Sequence, residues 1–364
     1  MKDSVNLANV IEELVEERGL DRDVLSSIIC ESMLAAYSKK YPDLVLRVDF
    51  DSQTGELIVQ VEKTVVATVS DDETEISLKK ARNIDKKLNE GDKVWVSFDG
   101  KIGRIEILRA KQVIASSIRK IEAAAIYDEF KEREGSIVLG TIHKIERGGV
   151  TVKVDDAFAF LPKSLSVPGE KLVAGFSIRA LLKEVLEEPR NDNQLILDRA
   201  SEDFLRELFE LEIPEIFEKL VEIKKIVRIA GYKSKVVVAS HDSNIDPVGT
   251  CVGVGGSRIK PILKELGGEK IDIIGWSDSL ETLVRNALKP AQISRVELSD
   301  DNKVAHVWLD EDQRSLAIGR MGQNIALASR LAGVDIQLMS AAGGRGQASS
   351  DEIEEFSGID EDFE

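Results

Sequence analysis

The chain has 364 residues, too many for one ordinary compact domain, and this length points to about two to four. Hydrophobic residues make up 43% and charged residues 32%, and no stretch approaches the apolar length of a bilayer-spanning helix, so a modular globular protein with no membrane segment is expected. The formal charge of -17 argues on average against a nucleic-acid partner, because phosphate binding is driven by cations that displace counterions.

That average conceals a polarised distribution. Residues 351–364, DEIEEFSGIDEDFE, carry eight acids and no base, whereas between Lys224 and Lys270 nine Lys/Arg stand against four Asp/Glu. The opening MKDSVNLANVIEEL lacks a basic region followed by an apolar run, so a secretory signal is not expected and a cytoplasmic location is. The two cysteines, Cys30 and Cys251, fall in separate helical patterns with no partner at metal-ligand spacing, which reads as reduced packing residues.

The first helix carries Leu7, Val10, Ile11 and Leu14 at helical spacing and closes at Gly19. A second, capped by Asp21 or Asp23, carries Val24, Ile28, Leu34 and Tyr37 and stops at Tyr41-Pro42. Alternation in LVLRVDF and ELIVQVEKTVVATV, joined through Gln53-Thr54-Gly55, predicts a hairpin or meander. A charged helical pattern from Arg109 to about Glu134 reads as a linker helix that ends the first domain. Residues 137–199 change to five short alternating segments, IVLGTIHKI, VTVKV, FAFL, SIRALLKEV and QLILDRA, with turns at Gly148-Gly149 and Pro168-Gly169; a small closed barrel of the OB type is expected.

The remainder is an internal repeat. The first copy reads helix EDFLRELFEL, strands VEIKKIVRIA and KVVVAS, helix DPVGTCV, a glycine turn, helix SRIKPILKEL and strand EKIDIIGW. The second reads SLETLVRNAL, ISRVELS, KVAHVWL, DQRSLAI, then GRMG, then QNIALASRL and VDIQLMS. Only a few residues, Trp276 to Asp278, join the copies, so they are expected to dock into one extended surface. After Gly343 the composition turns to Gly, Ser and acid, for which no packed structure is expected.

The two turns, GVGGSRI at 253–259 and GRMGQNI at 319–325, carry the chemistry. A helix-G-x-x-G-helix joint lets backbone approach a ligand closely, and the following helix presents free N–H groups that favour phosphate. The KH module clamps about four backbone nucleotides of a single strand in this way. A lone glycine turn between packed helices is the bland alternative, but two copies in the same helix-strand context weigh against it. A nucleotide phosphate loop lacks its Gly-Lys-Ser/Thr ending here, and a helix-turn-helix leaves the three strands of each copy unexplained. The expected RNA-binding residues are Gly253, Val254, Gly255, Gly256, Ser257, Arg258 and Lys260 in the first copy, and Gly319, Arg320, Met321, Gly322, Gln323 and Asn324 in the second. Two strands before the helix pair and one after it correspond to the type II arrangement.

LFELEIPEI, VEIKKIVRIAGYKSKVVVAS, IDPVGTCVGVGGSRI, ELGGEKIDIIGW and AIGRMGQNIALASRLAG together resemble the NusA family of bacterial transcription factors over nearly the whole chain. The resemblance implies a multidomain α+β fold: an N-terminal RNA polymerase-binding domain at 1–131, an S-one-type OB barrel at 135–199, tandem KH domains at 202–277 and 278–343, and an acidic disordered tail at 344–364. It implies a factor that binds RNA polymerase and nascent single-stranded RNA, works with other elongation or antitermination factors, acts as a monomer, and modulates pausing, intrinsic termination and antitermination. Acidic clusters such as Glu12, Glu13, Glu16 and Glu17 are compatible with polymerase contact. An RNA-degradation or ribosome-associated binding module is the alternative.

In the barrel, Val150 and Pro162 stand where many S-one relatives carry a stacking aromatic and histidine. Phe158 and Phe160 share one side of their strand and with His143 offer an RNA-stacking platform; burial of both phenylalanines in the barrel core is the reading the usual behaviour of Phe favours. The acidic tail reads as a solubilising terminus, or as a cover over the basic KH face that competes with RNA. His143, His241 and His306 are scattered over different modules, and the pairs Asp71-Asp72 and Asp155-Asp156 sit in turn-like contexts, so no catalytic residue, metal or cofactor is expected.

Overall fold

The structure, a computed structural model, describes residues 21–340 apart from positions 52, 53 and 55. The expectations for the opening helix, its glutamate cluster and the acidic tail lie outside the described residues. The chain divides into two compact units, the first ending at Asp128 and the second beginning at Glu129.

In the first unit, helix α1 (Arg22–Lys40) starts where Asp21 Oδ1 accepts from the amides of Asp23 (2.8 Å) and Val24 (3.2 Å), which settles the capping residue. Its buried face is Leu25, Ile29, Ser32 and Ala36, one position on from the expected Val24-Ile28 stripe; Val24 lies in the exposed first turn beside the cap. Strands β1 (Leu46–Asp51) and β2 (Glu56–Val66) form the expected antiparallel pair. Three short elements have no counterpart among the sequence expectations, β3 (Glu75–Ser77), α2 (Leu78–Ile84) and β4 (Lys93–Ser97); β3 pairs parallel and β4 antiparallel with β2. Helix α3 spans Arg104–Lys131, and its Ile114 and Ile118 pack with Leu25 and Ile29.

The second unit begins with a closed barrel of β5 (Ile137–Glu146), β6 (Gly149–Val154), β7 (Ala157–Pro162), β8 (Ser177–Arg190) and β9 (Asn193–Asp198), in the order β5-β6-β7-β9-β8. Val152, Val154, Ala159, Leu161, Leu182, Leu195 and Leu197 fill the interior. Period-two alternation accounts for this: along β7, Ala157, Ala159 and Leu161 are buried, while Phe158, Phe160 and Pro162 lie on the opposite side.

The repeat then appears twice. The first copy comprises α4 (Glu202–Glu212), the short α5 (Pro214–Phe217), β10 (Val221–Ile229), β11 (Lys233–Ser240), α6 (Pro247–Val252), α7 (Ile259–Glu265) and β12 (Lys270–Gly275). The second comprises α8 (Leu280–Ala287), β13 (Arg295–Leu298), β14 (Val304–Leu309), α9 (Glu311–Ile318), α10 (Gln323–Ala332) and β15 (Asp335–Ser340). In both sheets the first two strands are antiparallel and the third joins the second in parallel, which the helix pair between them makes possible.

Within the second unit the joints between the barrel and the repeats are buried. Arg199, only 2% exposed, donates to Glu170 and to the Arg179 carbonyl of the barrel and to Glu265 of the first repeat (2.7 Å). Nearby, Arg228 pairs with Glu269 (2.9 Å) and donates to the carbonyls of Arg199 and Ser201, and the Phe204 ring lies against both guanidinium groups. The two repeats share a core in which Val227, Val237 and Ile274 of the first sheet meet Leu283, Val284, Ala287, Leu327, Ala328 and Leu331 of the second copy's helices. Strand β11 is therefore buried on both faces: Val236 and Val238 face the first copy's helices and Val237 faces the second copy.

Candidate nucleic-acid interface

The first loop begins where α6, capped by Asp246 and started by Pro247, ends at Gly253. Gly253 has φ 73° and ψ 166°, and Gly319, at the same place after α9, has φ 73° and ψ −179°. Both occupy the region that a side chain forbids, so each helix can turn sharply into its loop only through glycine. The third loop positions agree as well, Gly255 at φ 59° and ψ 21° and Met321 at φ 55° and ψ 29°, and both loops close on a left-handed glycine, Gly256 or Gly322.

The hydrogen bonds repeat too. The Gly256 amide donates to Gly253 O (3.0 Å) and that of Ser257 to Val254 O, while Gly322 donates to Gly319 O (3.3 Å) and Gln323 to Arg320 O. Among the described residues this leaves the amides of Val254 and Gly255, and of Arg320 and Met321, without a backbone acceptor. These apices are open: Val254 is 96% exposed and Met321 81%, and Gly255 and Arg320 are exposed as well. Two large apolar side chains held in water and a methionine held at positive φ are costs that packing does not explain, and such strain concentrates at binding sites.

The structure divides the expected residues into two groups. Gly253, Val254, Gly255, Gly256, Ser257 and Lys260 of the first loop, and Gly319, Arg320, Met321, Gly322 and Gln323 of the second, lie at the exposed or half-exposed loop surfaces. Two others serve the fold. Arg258 turns back, its guanidinium donating to Thr250 O (2.8 Å) and to Glu215 of α5 (2.7 Å), so its charge is neutralised within the first repeat. Asn324 is buried, its Nδ2 donating to the carbonyls of Leu288, Leu316 and Ala317 and its Oδ1 accepting from Lys233 and Lys235. Its side chain faces the helix packing and has no route to a strand passing the loop.

The basic excess of residues 224–270 is likewise mostly absorbed by the fold. Lys224 pairs with Glu222, Arg228 with Glu269, and Lys233 and Lys235 with Asp272. Lys260, Lys264 and Lys270 remain exposed. A sequence window counts charges; tertiary packing decides which of them face solvent.

On the barrel, the preference for phenylalanines in the core is corrected. Phe158 and Phe160 are half-exposed on the outer face, because Ala157, Ala159 and Leu161 take the inward positions of β7. The exposed His143 ring lies 5.3 Å from that of Phe158, and Phe160 shares the outward side of β7. Val150 points into the core and Pro162 is half-exposed. The lysine pair at 233 and 235, which bonds Asn324, is not among the expected site residues; its only sequence signal is two charges at alternate positions directly before the run VVV.

Among the described residues no group of three or more His, Cys, Asp or Glu is placed to hold a metal, and no helix is long and apolar enough to cross a membrane. Cys251 is fully buried, and burial pushes its thiol up to about 12.

Comparison with known proteins gives this geometry a family. Residues 6–124 match the NusA N-terminal domain, 199–276 the NusA-like first KH domain and 280–344 the NusA-like second KH domain. The transcription termination/antitermination protein NusA of Thermus thermophilus is 36% identical over 91% of this chain and 89% of its own, and that of Bacillus subtilis is 34% identical over 94% and 92%. The solution structure of the N-terminal domain of NusA from B. subtilis is 30% identical, covering 32% of this chain and 95% of that one, with a TM-score of 0.26. With both KH matches falling on the two glycine-loop repeats and relatives aligned nearly end to end, the chain belongs to the NusA family of transcription termination/antitermination proteins.

Proposed function

We propose that this protein is a transcription elongation factor that holds single-stranded nascent RNA on its two glycine loops while residues 1–131 contact RNA polymerase. Holding the transcript biases whether a hairpin forms behind the polymerase, and through it pausing, intrinsic termination and antitermination. The action is mechanical and electrostatic, needs no cofactor or catalytic group, and is carried out by a monomer alongside other elongation or antitermination factors. The single observation that carries the RNA reading is the matched pair of loops, alike in backbone path, sharing the two hydrogen bonds that close each turn, and open at the same two positions. Free amides at those positions suit phosphate, and a KH loop clamps about four backbone nucleotides. The barrel, by its closure and strand order, is read as an OB fold of the S-one type, with His143, Phe158 and Phe160 as its stacking group.

The experiment places carboxylates where phosphate would lie: Val254→Asp with Gly255→Asp, and Arg320→Asp with Met321→Asp. A Cβ at Gly255 meets open space, and aspartate tolerates left-handed φ better than most residues, so the fold is expected to survive. RNA affinity is expected to collapse; a folded quadruple variant that binds RNA like the parent removes the loops from the mechanism. Polymerase retained on the full chain after nuclease treatment, and lost without residues 1–131, supports the second contact. Exclusive recovery with ribosomes overturns it.

A further inference from the structure

The helix that follows the second loop is held at both ends by the first repeat. Helix α10 crosses β10 and β11. At its C-terminal end Lys225 of β10 donates to the carbonyls of Arg330 (2.8 Å) and Leu331 (2.8 Å). At its N-terminal end, two residues after Gly322, Asn324 Oδ1 accepts from Lys233 (3.0 Å) and Lys235 (2.8 Å) of β11. Asp272 of β12 balances these lysines, 2.7 Å from Lys233 and 2.8 Å from Lys235. Asn324 in turn touches the loop: a Cβ on Gly319 would come within 2.7 Å of Asn324 Cβ.

Packing alone does not call for this arrangement. The Lys235 side chain is 0% exposed, and its burial lowers its pKa even with a carboxylate alongside. Two ammonium groups near a helix N-terminus oppose its dipole. An apolar side chain of the same length would fill the space, and buried ionic groups replaced in this way often leave stability unchanged or higher. What the cluster supplies is a fixed position for Asn324, whose amide also ties together the ends of α8 and α9 through the Leu288, Leu316 and Ala317 carbonyls.

We propose that Lys233 and Lys235, acting through Asn324, are positioning residues for RNA binding: they make the geometry of the loop at 319–322 conditional on docking against the first repeat, so that the two loops form one composite site. This rests on the RNA reading of the loops given above. In that composite site, a strand long enough to reach both loops gains from their fixed spacing, because the second contact becomes intramolecular.

The test uses the full chain with Lys233→Met and Lys235→Met together, and two single-stranded RNA probes, one of about four nucleotides, sufficient for one loop, and one several times longer. The long probe is expected to lose about tenfold in affinity, within the range usual for coupling between sites, while the short probe keeps its affinity for the first loop. In the lysine variant, adding Arg320→Asp and Met321→Asp is expected to produce little further loss on the long probe, although the same pair weakens the parent strongly. A folded lysine variant with parental affinity for the long probe, or full additivity with the loop substitutions, overturns the proposal. If the double variant does not fold, Lys235→Met alone is measured, with a smaller loss on the long probe expected because Lys233 still bonds Asn324; a folded Lys235→Met variant with parental affinity for the long probe removes Lys235 from the proposal. If the loop substitutions leave RNA affinity unchanged in the parent, the reading of the loops fails, which is a separate result from failure of the coupling.

Discussion

Adding a single methyl group at either glycine of the second loop separates two costs that the sequence cannot distinguish. Gly319 lies at φ 73° and ψ −179°, a region that costs a residue with a side chain about 1–3 kcal/mol. Its added Cβ would also stand 2.7 Å from Asn324 Cβ and 3.2 Å from Asn324 N. Asn324 cannot retreat, because three carbonyls and two lysines hold its amide, so overpacking adds about 1–3 kcal/mol. Gly322 lies at φ 72° and ψ 3°, where alanine costs about 1–2 kcal/mol, and nothing stands within 4 Å of its added Cβ. Gly319→Ala is therefore expected to destabilise the second repeat by about 2 kcal/mol more than Gly322→Ala, which is roughly thirtyfold in an opening equilibrium. Amide exchange of the α10 peptides, followed by mass spectrometry where exchange reports the opening equilibrium, reads this difference directly. Equal acceleration in the two variants would refute the claim that Asn324 is a fixed wall behind the loop.

The remaining expectations concern separate parts of the molecule. Lys260→Ala should weaken RNA binding and reduce the salt dependence by about 0.7 in the log-log slope, as loss of one phosphate contact to a single strand does; Arg258→Ala should leave that slope alone and instead lower the melting temperature of the first repeat, because it leaves Glu215 without its partner. Phe158→Ala should reduce RNA affinity by about 1–3 kcal/mol with little loss of barrel stability, an outcome that a core phenylalanine could not produce. The Cys251 thiol is held up to about 12 from an ordinary 9.0, so the folded state keeps a proton that the unfolded state releases between those values. Its contribution is then fully present below pH 9.0 and declines as pH rises towards 12, by about 1.4 kcal/mol per pH unit. Comparing denaturation midpoints of parent and Cys251→Ala from pH 8 to 11 checks the sign; a difference that does not narrow as pH rises contradicts it.

Local patterns were enough to identify the repeat, the barrel strands and both loops. Period-two alternation, helix stops at glycine and the recurrence of G-x-x-G depend on neighbours a few residues apart, and those relations survive in a linear string. The sequence also shows that Met321 stands where the first loop has Gly255, but that both hold a left-handed conformation emerges only from the backbone.

What the string could not decide was which side of an element meets which partner. Phe158 and Phe160 were legible as one face of β7, yet barrel closure puts that face outward and gives the interior to Ala157, Ala159 and Leu161. Arg258 and Asn324 carried the right chemistry at the right spacing for an RNA contact, but Glu215 and the lysines of β11, distant in sequence, claim their side chains. The short motif set the path of the loop by itself, because φ and ψ limits are local. The charge and reach of each side chain around it were set by contacts from other strands and helices, since buried polar groups bond wherever a partner lies within about 3 Å, irrespective of distance along the chain.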